Sequence, residues 1–570
     1  MKITENFRTW PLAMTCMLLC GCKATPVHND PDANEPLASA PEWRNWSGDL
    51  VYRPRSDGEK YYFTPTSRAE LQKILGKRPV GVKVRVSGQR HSQAPLVLED
   101  NRGGGPEAAR TWIVDLSCYA DLGPEGRDSF VLDSAHGKLT VNSGVREDEV
   151  DAYLTRHDLM LQTVTAGGFF SIGGMTAVDV HGGTLKAPIF AETASAFTIM
   201  GADGEVTTFD ENSAPVAGAS PLQSARVSLG ALGIVTSVIL DVQARPYATT
   251  VVGGQAQYKL TTEAEFVAQY LKLVAEHDRL ESFYNPYSHE FRVLWWDVEE
   301  SPAAKKPNIA RSVANACTFA ENGMFGAPLE GPVAEKIAER IEQRVQLHGT
   351  DEEAKLMIDV AMDMIVKQVH AGDRGSSDLW LTAAVQGMFM SYFLELPSLD
   401  AAGLRRVWQG LSVVAQADKS AFRLAAPLEF RFIRGGNSLL AGTYSKAPDA
   451  MFVNFDLIGF IDPIPVSEYP PAMLDFFAGI ERAWVALGGW PHNGKMYGFH
   501  NPAAPASAGT TPFNPNYLQA LTDRRRERVE AFTAHRRARD PEGVFCNAYL
   551  AALSLCEPAA APANAATSMP

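Results

Sequence analysis

The feature that most constrains the fold is a glycine-rich stretch in the first half of the chain, residues 166–183. Its sequence, AGGFFSIGGMTAVDVHGG, holds six glycines in eighteen residues. Glycine is costly inside a helix or strand, but it lets the backbone turn tightly and pass close to another group. The stretch therefore favours a site where backbone lies against a ligand. A glycine-rich turn without a ligand is the alternative.

A second stretch combines a strand with a polar loop. The β-branched run Val82, Val84 and Val86 predicts a strand, and Gly88 and a loop with one histidine, His91, follow it. A strand, a glycine and consecutive polar residues present backbone N–H groups that suit a phosphate. Short glycine motifs also occur by chance, so an ordinary strand exit with an exposed histidine is the competing interpretation.

The composition describes a large acidic protein with room for several cores. The chain has 570 residues, 45% of them hydrophobic and 21% charged, which is typical of soluble globular proteins. At about 150 residues per domain, this length suggests three to four structural units. The formal net charge is −14, with 66 acidic against 52 basic residues. This balance disfavours a nucleic acid as partner.

The first residues predict an export signal with a lipid anchor. A basic start precedes the apolar run 10–19, which is too short to span a bilayer as a helix. The sequence Leu-Cys-Gly-Cys ending at Cys22 resembles a bacterial lipobox, which predicts a lipoprotein signal peptide over 1–22 and membrane contact only through Cys22. Residues 23–45 predict a flexible tether. We expect a bacterial cell-envelope lipoprotein, at the periplasmic face or outer membrane; a periplasmic or secreted protein is the alternative.

Four cysteines lie beyond the predicted signal, at Cys118, Cys317, Cys546 and Cys556. None has the spacing of a metal-ligand pair. Export permits disulfides, but the sequence does not determine the pairing. Buried thiols or a single bridge are the expectation.

Secondary-structure patterns divide the chain near residue 246. Before it, strands alternate with short helices, one of which begins with a capping box at residues 67–70. After it, long helical patterns surround aromatic strand candidates, which predicts an antiparallel sheet covered by helices. The fold class is therefore α+β. Residues 517–539 predict one long basic helix, and the Ala/Pro-rich residues 557–570 predict a disordered tail.

Four segments occur in an order that resembles the vanillyl-alcohol oxidase, or PCMH-type, family of FAD-binding oxidoreductases. These segments are residues 87–95, 171–183, 227–236 and 540–550. Together they extend the resemblance over the chain from about Trp46. The glycine-rich segment is most similar to type II cholesterol oxidases. The sequence GWPHNGK at 489–495 is most similar to the sugar-lactone oxidases, such as D-arabinono-1,4-lactone oxidase, and to the alditol oxidases.

The resemblance implies a two-subdomain FAD-binding domain at 46–246, a cap domain for substrate at 247–500, and a segment, 501–556, that returns to the FAD-binding domain. In this family the loop histidine often binds the 8α-methyl group of the isoalloxazine, so FAD attached covalently to His91 is expected. Residues 166–183 hold no cysteine, which limits the attachment to a single bond. The residues expected to bind FAD are Gly88, Gln89, Arg90, His91, Ser92, Ser171, Gly173, Gly174, His181, Gly182, Ile234 and Val235.

The triplet Glu-Phe-Arg at 429–431 places Glu429 and Arg431 on one face of a predicted strand. A surface ion pair would have the same pattern. The resemblance places such a pair over the flavin and matches Lys495 with an active-site lysine. We expect Glu429 to accept or orient a hydroxyl proton, and Arg431 and Lys495 to stabilise the alkoxide and the flavin anion. Asn547 is expected to contact flavin or substrate.

Other enzyme classes lack their motifs, since no nicotinamide-binding GxGxxG, hydrolase GxSxG or metalloprotease HExxH occurs in the required context. A lipid-anchored binding protein with this fold and no turnover is the alternative to an enzyme. For an enzyme that oxidises a small-molecule alcohol, a sterol-like substrate predicts a large apolar cavity. A sugar lactone or alditol predicts a small polar pocket. The electron acceptor, O2 or another oxidant, is left open.

Overall fold

The computed structural model describes residues 42–52, 61–101, 111–245, 251–298, 312–321, 338–368, 387–447, 449–461 and 464–557. The predicted signal peptide, most of the predicted tether and nearly all of the predicted tail lie outside the described residues. Within the described ranges, no helix combines the length and the apolar character needed to cross a membrane.

The chain begins with a two-stranded ribbon and a small parallel sheet. The elements are β1 (Trp43–Arg44), β2 (Val51–Tyr52), β3 (Tyr62–Phe63), α1 (Arg68–Gly76), β4 (Lys83–Ser87) and β5 (Thr111–Asp115). The parallel sheet has the order β3-β5-β4. Helix α1 begins where the capping box predicts it, because the Ser67 side chain accepts a hydrogen bond from the Glu70 N–H.

An antiparallel sheet follows and completes the two-subdomain FAD-binding part. Its elements are β6 (Phe130–Asp133), β7 (Lys138–Asn142), α2 (Glu147–Thr155), β8 (Leu159–Leu161), α3 (Ile172–Ala177), β9 (Ala194–Met200), β10 (Val206–Asp210), α4 (Pro221–Ala225) and β11 (Ile234–Ala244). The strand order is β10-β9-β11-β7-β6, with β8 also paired to β11. Helix α3 lies inside the glycine-rich stretch, so this stretch is a short helix between two loops.

The cap is a seven-stranded antiparallel sheet with helices packed on it. Its elements are β12 (Val251–Lys259), α5 (Glu263–Glu276), β13 (Arg279–Asn285), β14 (Glu290–Val298), α6 (Ala316–Glu321), α7 (Asp351–Gln368), β15 (Met388–Leu396), α8 (Ala401–Gln416), β16 (Leu428–Arg434), β17 (Met451–Gly459), α9 (Pro471–Ala486) and β18 (Trp490–Pro491). The strand order is β12-β14-β13-β16-β17-β15-β18. The predicted α+β class, with an antiparallel cap sheet covered by helices, is confirmed.

The last segment returns from the cap to the first sheet, where the Val84 N–H donates to the Val544 carbonyl. It contains α10 (Pro515–Arg524), α11 (Arg526–Arg539) and α12 (Ala548–Ala552). The prediction of one helix over 517–539 is wrong, because Arg525 (φ −119°, ψ 28°) separates two helices. The buried guanidinium of Arg525 donates to the Leu440 carbonyl at 3.1 Å. At this residue the chain therefore makes a tertiary contact instead of continuing the helix.

Two disulfides, Cys118–Cys317 and Cys546–Cys556, link the four cysteines beyond the predicted signal. The first joins the loop after β5 to α6 of the cap, and the second closes the loop around α12. This corrects the expectation of at most one bridge. The pairings were not predictable because the partners of the first bridge are 199 residues apart.

Candidate active site

A cavity of about 310 Å³ is lined by residues of both the FAD-binding part and the cap. Its walls come from the loop after β4, the glycine-rich stretch, residues 228–235 and strands β16 and β17. The predicted site residues that line it are Gly88, Gln89, Arg90, His91, Ser92, Ser171, Gly173, Gly174, His181, Val235, Glu429, Arg431 and Lys495. One cavity thus brings together residues more than 400 positions apart.

Three predicted site residues are not in the cavity lining. Ile234 is fully buried in the core of the first sheet. Gly182 lies against the backbone of Val164. A Cβ at this position would be 2.2 Å from the Val164 carbonyl oxygen, so the two segments approach this closely only with glycine. Asn547 ties the last segment to the loop after β4: its Nδ2 donates to the Pro95 carbonyl at 2.8 Å and its Oδ1 accepts from the Leu550 N–H. These contacts give Asn547 a structural role, and its expected contact with flavin or substrate stays a prediction.

The loop after β4 is shaped by close packing and by one left-handed residue. Arg90 has φ 60°, a conformation that residues other than glycine rarely adopt. Its carbonyl accepts a hydrogen bond from the Trp46 N–H at 2.8 Å, which fixes the turn. A Cβ on Gly88 would lie 2.2 Å from the Ser171 Oγ, so only glycine lets this loop meet the start of α3. The conformation of this loop therefore depends on its backbone, and its role in phosphate binding stays a prediction.

His91 lies in an aromatic setting within the cavity. Its ring stacks on Trp46 at 5.2 Å and meets the edge of Phe170 at 4.8 Å. Burial, with the nearby positive charges of Lys495 and Arg90, lowers the pKa of His91 to about 3. The imidazole is therefore neutral at physiological pH, as a nucleophile requires. Trp46 lines the cavity but was not predicted from the sequence pattern, because it precedes His91 by 45 positions.

Arg85 connects the end of the loop after β4 with two of the four sequence motifs, 227–236 and 540–550. Its buried guanidinium donates to the carbonyls of Leu96 and Leu229, at 2.8 and 2.7 Å, and also to Gly230 and Phe545. Burial lowers its pKa to about 10, so it keeps its charge at neutral pH. The sequence did not predict this role, although an arginine between two valines of a strand is an unusual signal.

At the cap end, the cavity is lined by charged side chains, in contrast to the glycine-rich turns at the other end. Arg431 contacts the carboxylates of both Glu429 and Glu281. Strand pairing brings these residues together, since Glu281 of β13 lies opposite Arg431 and Asp456 of β17 lies opposite Glu429. The predicted ion pair is thus part of a buried cluster of three carboxylates. Glu281 and Asp456 were not predicted, because only the strand register places them here.

Lys495 completes the charged end of the cavity. Its Nζ lies 4.2 Å from the centroid of the Phe389 ring, a cation–π contact. Burial lowers the pKa of Lys495. Burial raises the pKa of Glu429 well above its usual range, although the Arg431 charge opposes the shift. A carboxyl group with a raised pKa and an ammonium group with a lowered pKa therefore face one space.

Two neutral histidines, His181 and His492, also line the cavity, with ring centroids 6.1 Å apart. Burial lowers the pKa of His181 to about 4 and that of His492 further below its usual range. His492 Nδ1 accepts a hydrogen bond from the Gly494 N–H at 2.9 Å, so its proton is on Nε2. His181 Nδ1 lies 3.2 Å from the Gly182 carbonyl and must donate to it, which leaves Nε2 as an acceptor.

The residues present fit a flavin nucleotide. Gln89 is buried, yet neither polar atom of its side chain has a hydrogen-bond partner among the described residues, and the same holds for His91 Nε2. A buried polar group without a partner costs about 1–3 kcal/mol, which a polar ligand would recover. The loop 88–92, Ser171 and Gly173 would hold FAD, which supplies hydride-accepting chemistry when bound. The fold and the site together define a flavin-dependent oxidoreductase.

Comparisons with known proteins agree with this class. The chain matches a family described as FAD binding domain over residues 60–210 and one described as D-arabinono-1,4-lactone oxidase over residues 392–553. It is 23% identical to L-gulonolactone oxidase of Bos taurus, over 89% of this chain and 97% of that protein. It is also 23% identical to L-gulono-1,4-lactone dehydrogenase of Mycobacterium tuberculosis, over 90% and 98%. The match to L-gulonolactone oxidase of Mus musculus, 27% identical, spans 35% of this chain and 40% of that protein.

Among solved structures, a cholesterol oxidase from B. sterolicum matches with a TM-score of 0.65 at 15% identity. The match covers 93% of this chain and all of the other, so the two share a fold. These matches agree with the resemblance to the PCMH-type family of FAD-binding oxidoreductases that the sequence motifs predict. The chain carries a FAD binding domain and a region that matches D-arabinono-1,4-lactone oxidase, and it shares the fold of a cholesterol oxidase.

Proposed function

We propose that this protein oxidises a CH–OH group of a sugar lactone or a closely related polyol. The observation that carries this proposal is the charged end of the cavity, where Glu429, Arg431, Asp456 and Lys495 line one space and Glu281 contacts Arg431 from behind the lining. A substrate with several hydroxyl groups can form hydrogen bonds with such side chains, whereas the ring system of a sterol offers them no polar partner. The lactone-oxidising relatives support the same substrate class.

The proposed mechanism assigns a role to each charged residue. Glu429 accepts the proton of the reacting hydroxyl, because a carboxylate of raised pKa is a stronger base than an ordinary one. Arg431 and Lys495 stabilise the negative charge that develops on the alkoxide oxygen. His492, with its proton on Nε2, is a hydrogen-bond donor at the same end of the cavity. FAD, when bound, would supply the hydride-accepting chemistry at this end of the cavity.

We also propose that FAD is attached covalently through His91. The neutral ring, the Nε2 without a partner and the position in the cavity support this assignment. Flavin that stays with the protein after acid precipitation, and that is lost from a His91→Ala variant, is the expected result. Flavin released by acid from the wild type would contradict it.

Export as a lipoprotein anchored at Cys22 is part of the same proposal. Two disulfides support an oxidising compartment, since such bonds are rare in reducing cytosols. Metabolic labelling with a fatty acid, lost in a Cys22→Ala variant, tests the anchor. Label retained by that variant would contradict it.

One experiment tests the proposed reaction. Purified holoenzyme is supplied with L-gulono-1,4-lactone, D-arabinono-1,4-lactone, an alditol panel and cholesterol, with O2 or an artificial dye as acceptor. Oxidation of a lactone or alditol is the expected result, and release of hydrogen peroxide identifies O2 as the acceptor. Turnover of cholesterol alone would favour the sterol alternative, and no turnover by flavin-loaded protein would favour a binding protein.

A further inference from the structure

The turn that carries Lys495 is held from two sides by the FAD-binding part. Residues 493–494 lie directly before Lys495 and follow His492. One hydrogen-bonded link comes from the glycine-rich stretch, and the other comes from the loop after β4. These are the two segments that form the flavin side of the cavity.

The first link is the carboxylate of Asp179. It is fully buried and accepts three hydrogen bonds: from the Gly442 N–H at 2.8 Å, the Asn493 N–H at 2.8 Å and the Asn493 Nδ2 at 2.6 Å. Asn493 Nδ2 also donates to the Leu440 carbonyl at 3.0 Å. A carboxylate with this many donors fixes the backbone of the turn in one place.

The second link is Gln93, which is also buried. Its N–H donates to the Gly494 carbonyl at 3.0 Å. Its side chain spans the start of β15, where Nε2 donates to the Gly387 carbonyl and Oε1 accepts from the Phe389 N–H, both at 2.8 Å. Phe389 is the residue whose ring lies under the Lys495 ammonium. Gln93 therefore fixes both the turn and the aromatic surface below Lys495.

We propose that Asp179 and Gln93 are positioning residues that set the Lys495 ammonium relative to the flavin-binding segments. This inference rests on the proposed role of Lys495 in turnover. Neither residue is assigned a contact with the reacting atoms. Each acts by holding the turn that carries Lys495. A displacement of about 1 Å at a reacting group costs up to about 100-fold in rate, so small changes in this turn have large consequences.

The test is a double-mutant cycle between Asp179→Asn and Lys495→Met, measured as kcat/KM for the best substrate. An asparagine keeps the shape but turns one acceptor into an NH2 group that faces backbone N–H donors. We expect Asp179→Asn to lower kcat/KM roughly 10- to 100-fold in the wild type. In the Lys495→Met background the same change should cost less than about threefold, because the affected group is already absent.

A second readout does not depend on turnover. A nearby cation favours the reduced, anionic form of a bound flavin, so Lys495→Met should lower the midpoint potential of the flavin. Asp179→Asn should lower it in the same direction and add no further shift in the double variant. The matched control is Asp400→Asn, which accepts two backbone N–H bonds as the N-cap of α8 outside the cavity. Its kcat/KM and potential should be unchanged.

Gln93→Glu provides an independent variant if Asp179→Asn does not fold. It keeps the acceptor for Phe389 and loses the donor to Gly387, and it should show the same loss of effect in the Lys495→Met background. The positioning role would be overturned if the effects of Asp179→Asn and Lys495→Met on kcat/KM multiply in the double variant. It would also be overturned if Asp179→Asn leaves both kcat/KM and the flavin potential unchanged. A Lys495→Met enzyme with full activity would instead refute the proposed role of Lys495, and the inference with it. A wild type that oxidises no lactone or alditol would refute the proposed substrate class, and the potentials alone would then decide the inference.

Discussion

The two ends of the cavity are built by different means. The flavin side consists of turns in which glycines and one left-handed arginine bring backbone close to backbone, with the neutral side chains of Gln89 and His91. The cap side consists of charged side chains on the regular strands β16 and β17. Shape therefore determines what the first end binds, and charge determines what the second end does. Substitutions at the two ends should have separable effects on flavin binding and on turnover.

The largest effect is expected at the charged end. Glu429→Gln should lower kcat by about 10²–10⁴-fold, because an amide cannot accept the hydroxyl proton. Flavin content should be unchanged, because Glu429 is on the cap side. The matched control is Glu395→Gln, a largely exposed glutamate of β15 outside the cavity lining. Loss of flavin together with activity in Glu429→Gln would contradict the separation of the two ends.

The pH dependence of turnover sharpens the same comparison. Glu429 must be ionised to accept a proton, and its raised pKa keeps it protonated up to a higher pH than an ordinary glutamate. Activity should therefore fall about tenfold per pH unit below a midpoint that is higher than about 4.3. The pH profile of kcat/KM measures this limb. The residual activity of Glu429→Gln should lack it; a limb that persists would assign the titration to another group.

At the flavin end, His91→Ala should change the attachment of the cofactor more than the chemistry. The variant should release its flavin on acid precipitation, while turnover with added FAD falls less than in Glu429→Gln. The reason is that the turn 88–92 and Ser171 remain to bind the nucleotide. Acid precipitation and kcat with saturating FAD are the measurements. An equal collapse of turnover would show that the flavin end also controls the chemistry.

The smallest effect is expected from Gly88→Ala. The added Cβ would lie 2.2 Å from Ser171 Oγ, so the loop must shift, at a cost of about 1–3 kcal/mol. The change should weaken FAD binding and leave the KM for substrate unchanged. FAD affinity is measured in the His91→Ala background, in which the cofactor is expected to bind reversibly. Gly479→Ala is the control, since nothing lies within 4 Å of its Cβ in helix α9. Unchanged FAD affinity in Gly88→Ala would remove the backbone argument for this loop.

Local sequence patterns predicted much of this molecule. The capping box at Ser67, the hairpins β6–β7 and β9–β10 and the strand that carries Glu429 and Arg431 all follow from spacing over a few residues. Such patterns are local because hydrogen bonds within a turn or helix depend on neighbours in the chain. The segments expected to bind flavin were predicted in the same way, from glycines followed by polar residues and from the family resemblance.

Only the tertiary structure determined which distant residues join these segments. Glu281 reaches Arg431 across 150 positions because β13 pairs with β16, and Asp179 reaches Asn493 across 314 positions. Strand register and the packing of domains depend on the sum of many contacts, and no short sequence encodes them. The sequence by itself therefore predicted a FAD-binding oxidoreductase, and the family matches agree with it. The structure decided that charge lies at one end of it, and that Gln93 and Asp179 connect the two ends.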